Sequence, residues 1–86
     1  MEEEIGRISH YFSKIGVAVI EVTAGLLRAG DTIHIKGHTT DFYQKVESLQ
    51  QEHQAVSEAV KGVSVGLKVK YPVREHDVVF VAREEA

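Results

Sequence analysis

The stretch that decides the fold is Gly25-Leu26-Leu27-Arg28-Ala29-Gly30-Asp31-Thr32-Ile33-His34-Ile35-Lys36. Its second half alternates apolar and polar side chains, which is the two-residue period of a β-strand with one buried face. We expect Ile33 and Ile35 to point inward, and His34 and Lys36 to point outward. The two glycines can take a positive backbone φ without steric cost, as tight connections require. The stretch therefore predicts a loop followed by a short, half-buried strand.

Similar segments follow one another along the rest of the chain. They are rich in β-branched residues and are bounded by glycine or proline. Together with the first, they give six predicted strands, at residues 5–12, 16–22, 31–36, 40–51, 64–71 and 77–82. In the fifth, we expect Val65, Leu67 and Val69 to point inward. The predicted connections include a loop at residues 24–30 and one helical turn at residues 54–61, which Gly62 ends.

The fourth predicted strand has an alternative. Within residues 40–51 the apolar positions change phase between Val46 and Leu49. A β-bulge restores the phase, whereas a helix fits the same spacing without one. The neighbouring strands favour the strand. The chain is therefore predicted to be all-β, as a closed or nearly closed six-stranded antiparallel barrel, since closure removes exposed strand edges.

Length and composition predict one globular domain. A chain of 86 residues buries a single core, so we expect one domain over residues 1–86 with its core in residues 5–82. The absence of cysteine excludes disulfides and thiolate metal sites. The chain has no apolar run of about 18 residues, as a spanning helix needs, and its first residues are acidic where a leader is basic. We therefore expect a soluble, cytoplasmic protein outside any membrane.

The charge distribution is more informative than the net charge of −3. Five of the thirteen acidic residues stand at the ends of the chain: Glu2, Glu3, Glu4, Glu84 and Glu85. Residues 5–83 hold eight acids against ten lysines and arginines, so this part is mildly basic. That balance falls well short of the basic excess of a dedicated DNA-binding domain.

Five short motifs occur in a fixed order along the chain. They are Gly6-Arg7-Ile8, the stretch from Gly25 to Ile35, Val46-Glu47-Ser48-Leu49-Gln50, Ala59-Val60-Lys61-Gly62 with Val65-Gly66-Leu67, and Asp77-Val78-Val79. In this order and spacing they resemble domain two of elongation factor Tu and its relatives, the translational GTPases. The resemblance covers residues 5–82 and implies the β-barrel of that domain. Residues 37–44 are most similar to a subgroup of stand-alone elongation-factor-like proteins and barrels attached to other RNA-related enzymes.

The residues do not predict an enzyme. GTP hydrolysis needs a phosphate cradle of the G-x-x-x-x-G-K-[ST] type, and the sequence contains none. The five histidines lack cysteine support, so we expect surface histidines rather than a metal site. Ser48, Ser57 and Ser64 lack the context of a nucleophile elbow. No catalytic, cofactor or metal residue is therefore predicted.

The loop at residues 38–42 is polar and ends in an aromatic residue. We expect Thr39 and Asp41 to accept hydrogen bonds from turn amides, and Phe42 to enter the core. A binding role for this loop is the alternative.

The predicted strand phases turn several basic side chains outward, together with His34 and one further aromatic residue. Grouped on neighbouring strands, they can offer positive charge to an RNA backbone and a ring to an exposed base. The predicted RNA-binding residues are Lys36, Tyr43, Lys45, Lys68 and Lys70. The alternative is that these lysines are simply the solvated side of amphipathic strands.

The predicted function is therefore a non-catalytic binding module associated with RNA or translation, without GTPase activity. The resemblance implies tRNA, rRNA, or a translation or RNA-modifying protein as its partner. The alternative function is a protein–protein adaptor or a homo-oligomeric barrel that binds no RNA.

Overall fold

A computed structural model of the chain describes residues 1–83. All regular secondary structure in that range is β-strand. The strands are β1 Glu2–Phe12, β2 Val17–Val22, β3 Leu26–Arg28, β4 Thr32–Lys36, β5 Asp41–Lys45, β6 Leu49–Gln51, β7 Gln54–Val56, β8 Glu58–Val60, β9 Ser64–Lys68 and β10 Val78–Ala82. The prediction of an all-β chain is confirmed.

Two sheets contain these strands. The larger sheet has eight strands in the order β5-β4-β10-β1-β2-β9-β6-β7, and the smaller one pairs β3 with β8. Every pairing in both sheets is antiparallel. The long strand β1 lies at the centre of the large sheet and pairs with β10 on one side and with β2 on the other.

The described residues form ten strands rather than the six predicted. The fourth predicted strand is divided into β5 and β6, because the chain leaves one strand at Val46 and enters another at Leu49. The predicted loop at 24–30 contains β3, and the predicted helical turn at 54–61 is wrong because β7 and β8 lie there. The backbone of β8 is hydrogen-bonded to that of β3, with Leu27 opposite Ala59. The spacing of apolar residues within 54–61 does not indicate a partner so distant in sequence.

One core cluster fills the interior and extends from Ile5 to Val81. The predicted alternation places its members correctly in two strands. Ile33 and Ile35 of β4 are fully buried, and Val65, Leu67 and Val69, in and just after β9, are also buried. These inward positions fix the outward direction of the polar residues between them.

Strand β1 bends at two points where its register shifts. One shift lies between Glu4 and Gly6 against β10, and the other lies between Ile8 and His10 against β2. Such bulges increase local twist and curl a sheet. The backbone of β2 comes so close at the first bulge that a Cβ at position 6 would lie 2.1 Å from the carbonyl oxygen of Glu21. Only glycine fits this position.

The large sheet curls but its backbone ladder does not close. Within residues 1–83, β5 and β7 are its two end strands, and no backbone ladder joins β5 to β9. The side chain of Gln44, on β5, spans this gap. Its Nε2 donates to the carbonyl of Lys68 and its Oε1 accepts from the amide of Lys70, each at 2.9 Å. We call this junction of β5 with residues 68–70 the seam; a side-chain amide there takes the place of a peptide group.

Candidate binding site at the seam

A pocket of about 350 Å³ opens beside the seam. It lies where β5, the connection from β5 to β6, and the end of β9 meet. Its lining residues are Gln44, Lys45, Glu47, Ser48, Lys68, Val69 and Lys70. Three of the five residues predicted as a binding face, all of them lysines, are therefore brought together here. We call it the seam pocket.

The strand pattern explains why the three lysines face outward. Lys45 follows the buried Gln44, and Lys68 and Lys70 flank the buried Val69. Their side chains are exposed, and none of the three makes an ion pair within residues 1–83. The seam pocket therefore carries three uncompensated ammonium groups against one carboxylate, that of Glu47.

The other two predicted residues lie elsewhere. Lys36 stands opposite Asp41 in the pairing of β4 with β5, at the far end of β5 from Lys45. Tyr43 is about half exposed, but its hydroxyl donates a hydrogen bond to Glu2 and its ring stacks on His34 with centroids 4.1 Å apart. The seam pocket has no aromatic ring in its lining.

His34 is the centre of a polar cluster on the outer face of the barrel. Its Nδ1 lies 2.7 Å from a carboxylate oxygen of Glu2, and its Nε2 lies 2.5 Å from a carboxylate oxygen of Asp41. Tyr43 and Phe80 cover its ring, so that only 8% of the residue is exposed. The expectation of surface histidines is therefore wrong for His34, because neighbouring strands cover its outward face.

The geometry of this cluster favours a protonated imidazole. A neutral ring has one N–H donor, whereas an imidazolium has two, and both nitrogens of His34 face a carboxylate. Burial alone would lower the pKa of His34, but the hydrogen bonds that its ring donates to Glu2 and Asp41 outweigh it and raise the pKa above 6.5. The resulting ion cluster joins β1, β4 and β5.

The pKa values of Glu2 and Tyr43 shift in directions that agree with this arrangement. The hydrogen bond from Tyr43, and then that from His34, lower the pKa of Glu2 below 4.5. The same bond to Glu2 raises the pKa of Tyr43 above 10.0, because ionising the phenol would place two negative charges together. The cluster therefore holds Glu2 as a carboxylate and Tyr43 as a phenol.

The carboxylate of Asp41 is hydrogen-bonded to His34, whereas the sequence predicted bonds to turn amides. Phe42 is partly buried and packs against the core, in agreement with the prediction for that residue. The loop also borders a second pocket of about 570 Å³, lined by Thr39, Thr40, Asp41, Phe42, Tyr71, Pro72 and Arg74. In it the ring of Phe42 meets that of Tyr71 edge-on, with centroids 5.1 Å apart.

No group of three or more His, Cys, Asp or Glu side chains in residues 1–83 is placed to hold a metal ion. No helix among the same residues is long and apolar enough to cross a membrane.

The family model of elongation factor Tu domain 2 matches residues 16–78. The chain belongs to this family. The resemblance inferred from the five motifs is therefore confirmed, and with it the barrel of elongation factor Tu domain 2 as the fold.

Curated relatives of this family member are named as proteases. It is 43% identical over 84 residues to a collagenase of Porphyromonas gingivalis, which covers 94% of this chain and 23% of the collagenase. It is also 43% identical over 82 residues to an uncharacterized protease of Methanocaldococcus jannaschii, which covers 94% of this chain and 20% of that protease. The chain thus spans about a fifth to a quarter of the length of the curated relatives it matches.

Solved structures show the same fold. The C-terminal domain of a putative U32 peptidase from Geobacillus thermoleovorans matches with a TM-score of 0.87 and 23% identity, over 94% of this chain and 93% of that domain. The selenomethionine variant of that domain matches with a TM-score of 0.83 and 24% identity, over 90% of this chain and 96% of the variant.

These relatives overturn the predicted function. A module associated with translation and RNA was inferred from the family, but the relatives that match almost the whole chain are named as proteases. One barrel can serve unrelated proteins, since function resides in sites rather than in the fold. One face of Tyr43, the predicted base-stacking residue, stacks on His34 in the structure.

Proposed function

We propose that this barrel is an accessory domain of a protease, and that it contributes by binding rather than by catalysis. The observation that carries the proposal is the pattern of coverage. Identity of 43% extends over 94% of this chain, while the same alignments take up only 20% to 23% of the proteases. In those relatives the matching segment is thus a small part of a longer protein, and their remaining length is available for the catalytic machinery.

The side chains of the barrel support a non-catalytic role. A general base needs a free lone pair within reach of the proton that it takes. Both ring nitrogens of His34, the one strongly buried histidine among residues 1–83, are occupied by carboxylates. An imidazolium held in this way stabilises the packing of strands and cannot activate a hydroxyl or a water.

The surface supports a binding role. The seam pocket presents three lysines without ion-pair partners in the described part of the chain. The second pocket adds the half-exposed ring of Tyr71 at 57% exposure. Strand β5 contributes residues to both pockets, and loops carried by a strand framework are a usual place for binding residues.

A domain exchange in the collagenase of Porphyromonas gingivalis tests the proposal. Three proteins are compared in the hydrolysis of a collagen-derived peptide: the whole collagenase, a form without the segment that matches this chain, and a form that carries this chain in its place. Loss of a binding domain is expected to raise KM by about tenfold with a smaller change in kcat, and the exchange is expected to restore KM.

The 86-residue chain on its own is the matched control, and it is expected to hydrolyse nothing. Hydrolysis by the isolated chain would contradict the non-catalytic role. Unchanged kinetics after removal of the segment would contradict the accessory role. The cytoplasmic location expected from the sequence stays a prediction, to be checked by cell fractionation. The homo-oligomer, given by the sequence only as an alternative, is checked by light scattering.

A further inference from the structure

We infer that the seam pocket binds an acidic polypeptide segment in extended conformation, through Lys45, Lys68 and Lys70. The inference rests on the proposed function, since it names the kind of partner that the accessory domain takes. It goes further in assigning a site, a charge and a spacing to that partner.

The charge of the pocket is opposite to that of the chain. The protein carries a net charge of −3, yet three lysines and a single acid line the seam pocket. Within residues 1–83 Arg7, Arg28 and Arg83 pair with acids, whereas no lysine does. Three of these unpaired lysines come together at the seam pocket. Complementary charge steers a partner and fixes its register, so a partner with carboxylates suits this surface.

The spacing of the lysines fits an extended chain. Lys68 and Lys70 are two residues apart, and the buried Val69 between them points inward. Side chains at i and i+2 of an extended segment lie roughly 6.6 Å apart on one face. An extended partner with acidic side chains at every second position repeats the same spacing, so that two of its carboxylates can each meet one ammonium group.

The lining of the pocket favours a peptide over a single-stranded nucleic acid. Sequence-independent binding of single strands relies on aromatic rings that stack with bases, and no ring lines the seam pocket. Glu47 stands among the lysines and repels a continuous polyanion. A peptide with separated carboxylates can place a neutral residue opposite Glu47.

The lysine side chains can be changed without removing the contacts of the seam. The carbonyl of Lys68 and the amide of Lys70 bond to Gln44, and both are backbone atoms. Reversal of charge at these positions therefore leaves the hydrogen bonds in place. The double variant Lys68→Glu/Lys70→Glu tests the pocket, and the double variant Lys14→Glu/Lys61→Glu makes the same change of charge outside its lining.

The experiment measures fluorescence anisotropy of a labelled decapeptide of alternating Glu and Ser, at about 50 mM salt, where charge attraction is weakly screened. A twin peptide with Gln for Glu and a uridine decamer are compared with it. The acidic peptide is expected to bind the wild type. Binding is expected to weaken by about tenfold or more in the pocket variant and by less than about twofold in the control variant.

Four results would overturn the inference: no binding of the acidic peptide, equal binding of the neutral twin, equal loss in the control variant, or binding of the uridine decamer as tight as that of the peptide. Should circular dichroism show that the Glu substitutions unfold the barrel, Lys68→Gln/Lys70→Gln gives the same comparison. The domain exchange measures KM of the whole collagenase, so it can support the accessory role even when the acidic peptide does not bind. Failure of the pocket is thereby separated from failure of the accessory role.

Discussion

Replacing Gln44 by leucine is expected to weaken the whole barrel, although only one side chain changes. Gln44 is 6% exposed, and its amide makes two hydrogen bonds of 2.9 Å across the seam. Leucine fills a similar volume but leaves the carbonyl of Lys68 and the amide of Lys70 without partners. Each lost bond contributes about 1 kcal/mol, and each group left unpaired costs about 1–3 kcal/mol when water cannot reach it.

The seam pocket admits water beside these groups, which offsets part of that cost. We therefore expect the free energy of unfolding to fall by about 2–3 kcal/mol in Gln44→Leu. The measurement is urea unfolding followed by circular dichroism, with the slope against urea unchanged. A loss below about 0.5 kcal/mol, the range of an ordinary surface substitution, would refute the role given to Gln44.

The variant Gln44→Glu separates the donor from the acceptor at the same position. One carboxylate oxygen can still accept from the amide of Lys70, but the other then faces the carbonyl of Lys68 and repels it. Protonation restores a donor on that side. The difference in unfolding free energy from the wild type is therefore expected to shrink as pH falls through the carboxyl pKa. A difference that is constant with pH would mean that the donor to Lys68 contributes nothing.

Two further predictions concern the free energy of unfolding: its pH dependence at the His34 cluster, and the cost of a side chain at Gly6. Because the pKa of His34 is raised above 6.5 and that of Glu2 is lowered below 4.5, the cluster is expected to stabilise the fold fully between pH 4.5 and 6.5. That contribution is lost as pH rises through the raised pKa of His34, or falls through the lowered pKa of Glu2. Urea unfolding gives the free energy of unfolding of the wild type and of His34→Gln at each pH, and the difference between the two isolates this contribution. A difference that does not change with pH would contradict the cluster. Gly6→Ala is expected to lower the free energy of unfolding by about 3 kcal/mol or more, because the new Cβ would lie 2.1 Å from the carbonyl oxygen of Glu21 and the backbone there has to shift. Gly66→Ala, whose Cβ would lie 3.4 Å from Val17, is expected to cost less than about 1 kcal/mol in the same unfolding measurement, and equal costs would contradict the close approach.

The sequence was sufficient for features that depend on local alternation. Ile33, Ile35, Val65 and Leu67 were predicted inward and are buried, because a strand with one buried face fixes every second side chain. Motif order was sufficient for the family, which is confirmed over residues 16–78.

Features that depend on distant pairing were missed. The pattern at residues 54–61 satisfies a helix locally, but β8 finds its hydrogen bonds in β3. His34 was expected at the surface, yet it is covered by Tyr43 and by Glu2, 32 positions away in sequence. Only the register of β4 with its neighbours brings these residues together, and register is a property of the folded sheet.

The sequence of β5 contains a sign of the seam at Gln44. Gln44 falls on the same phase as Phe42 in β5, so alternation places it inward. A polar side chain directed into a core needs hydrogen-bond partners, and that requirement points to a junction. Tyr71 and Arg74 of the second pocket follow β9 outside any strand, where no periodic pattern exists to reveal them.

The single side chain at the seam is also expected to determine where the barrel opens locally. Amides inside the large sheet are released to solvent only when several neighbouring bonds break together, whereas the amide of Lys70 depends on one rotamer of Gln44. We therefore expect exchange of its hydrogen with deuterium to follow local opening of the seam rather than global unfolding. The three lysines of the seam pocket lie beside this junction, so a partner bound there is expected to slow that exchange.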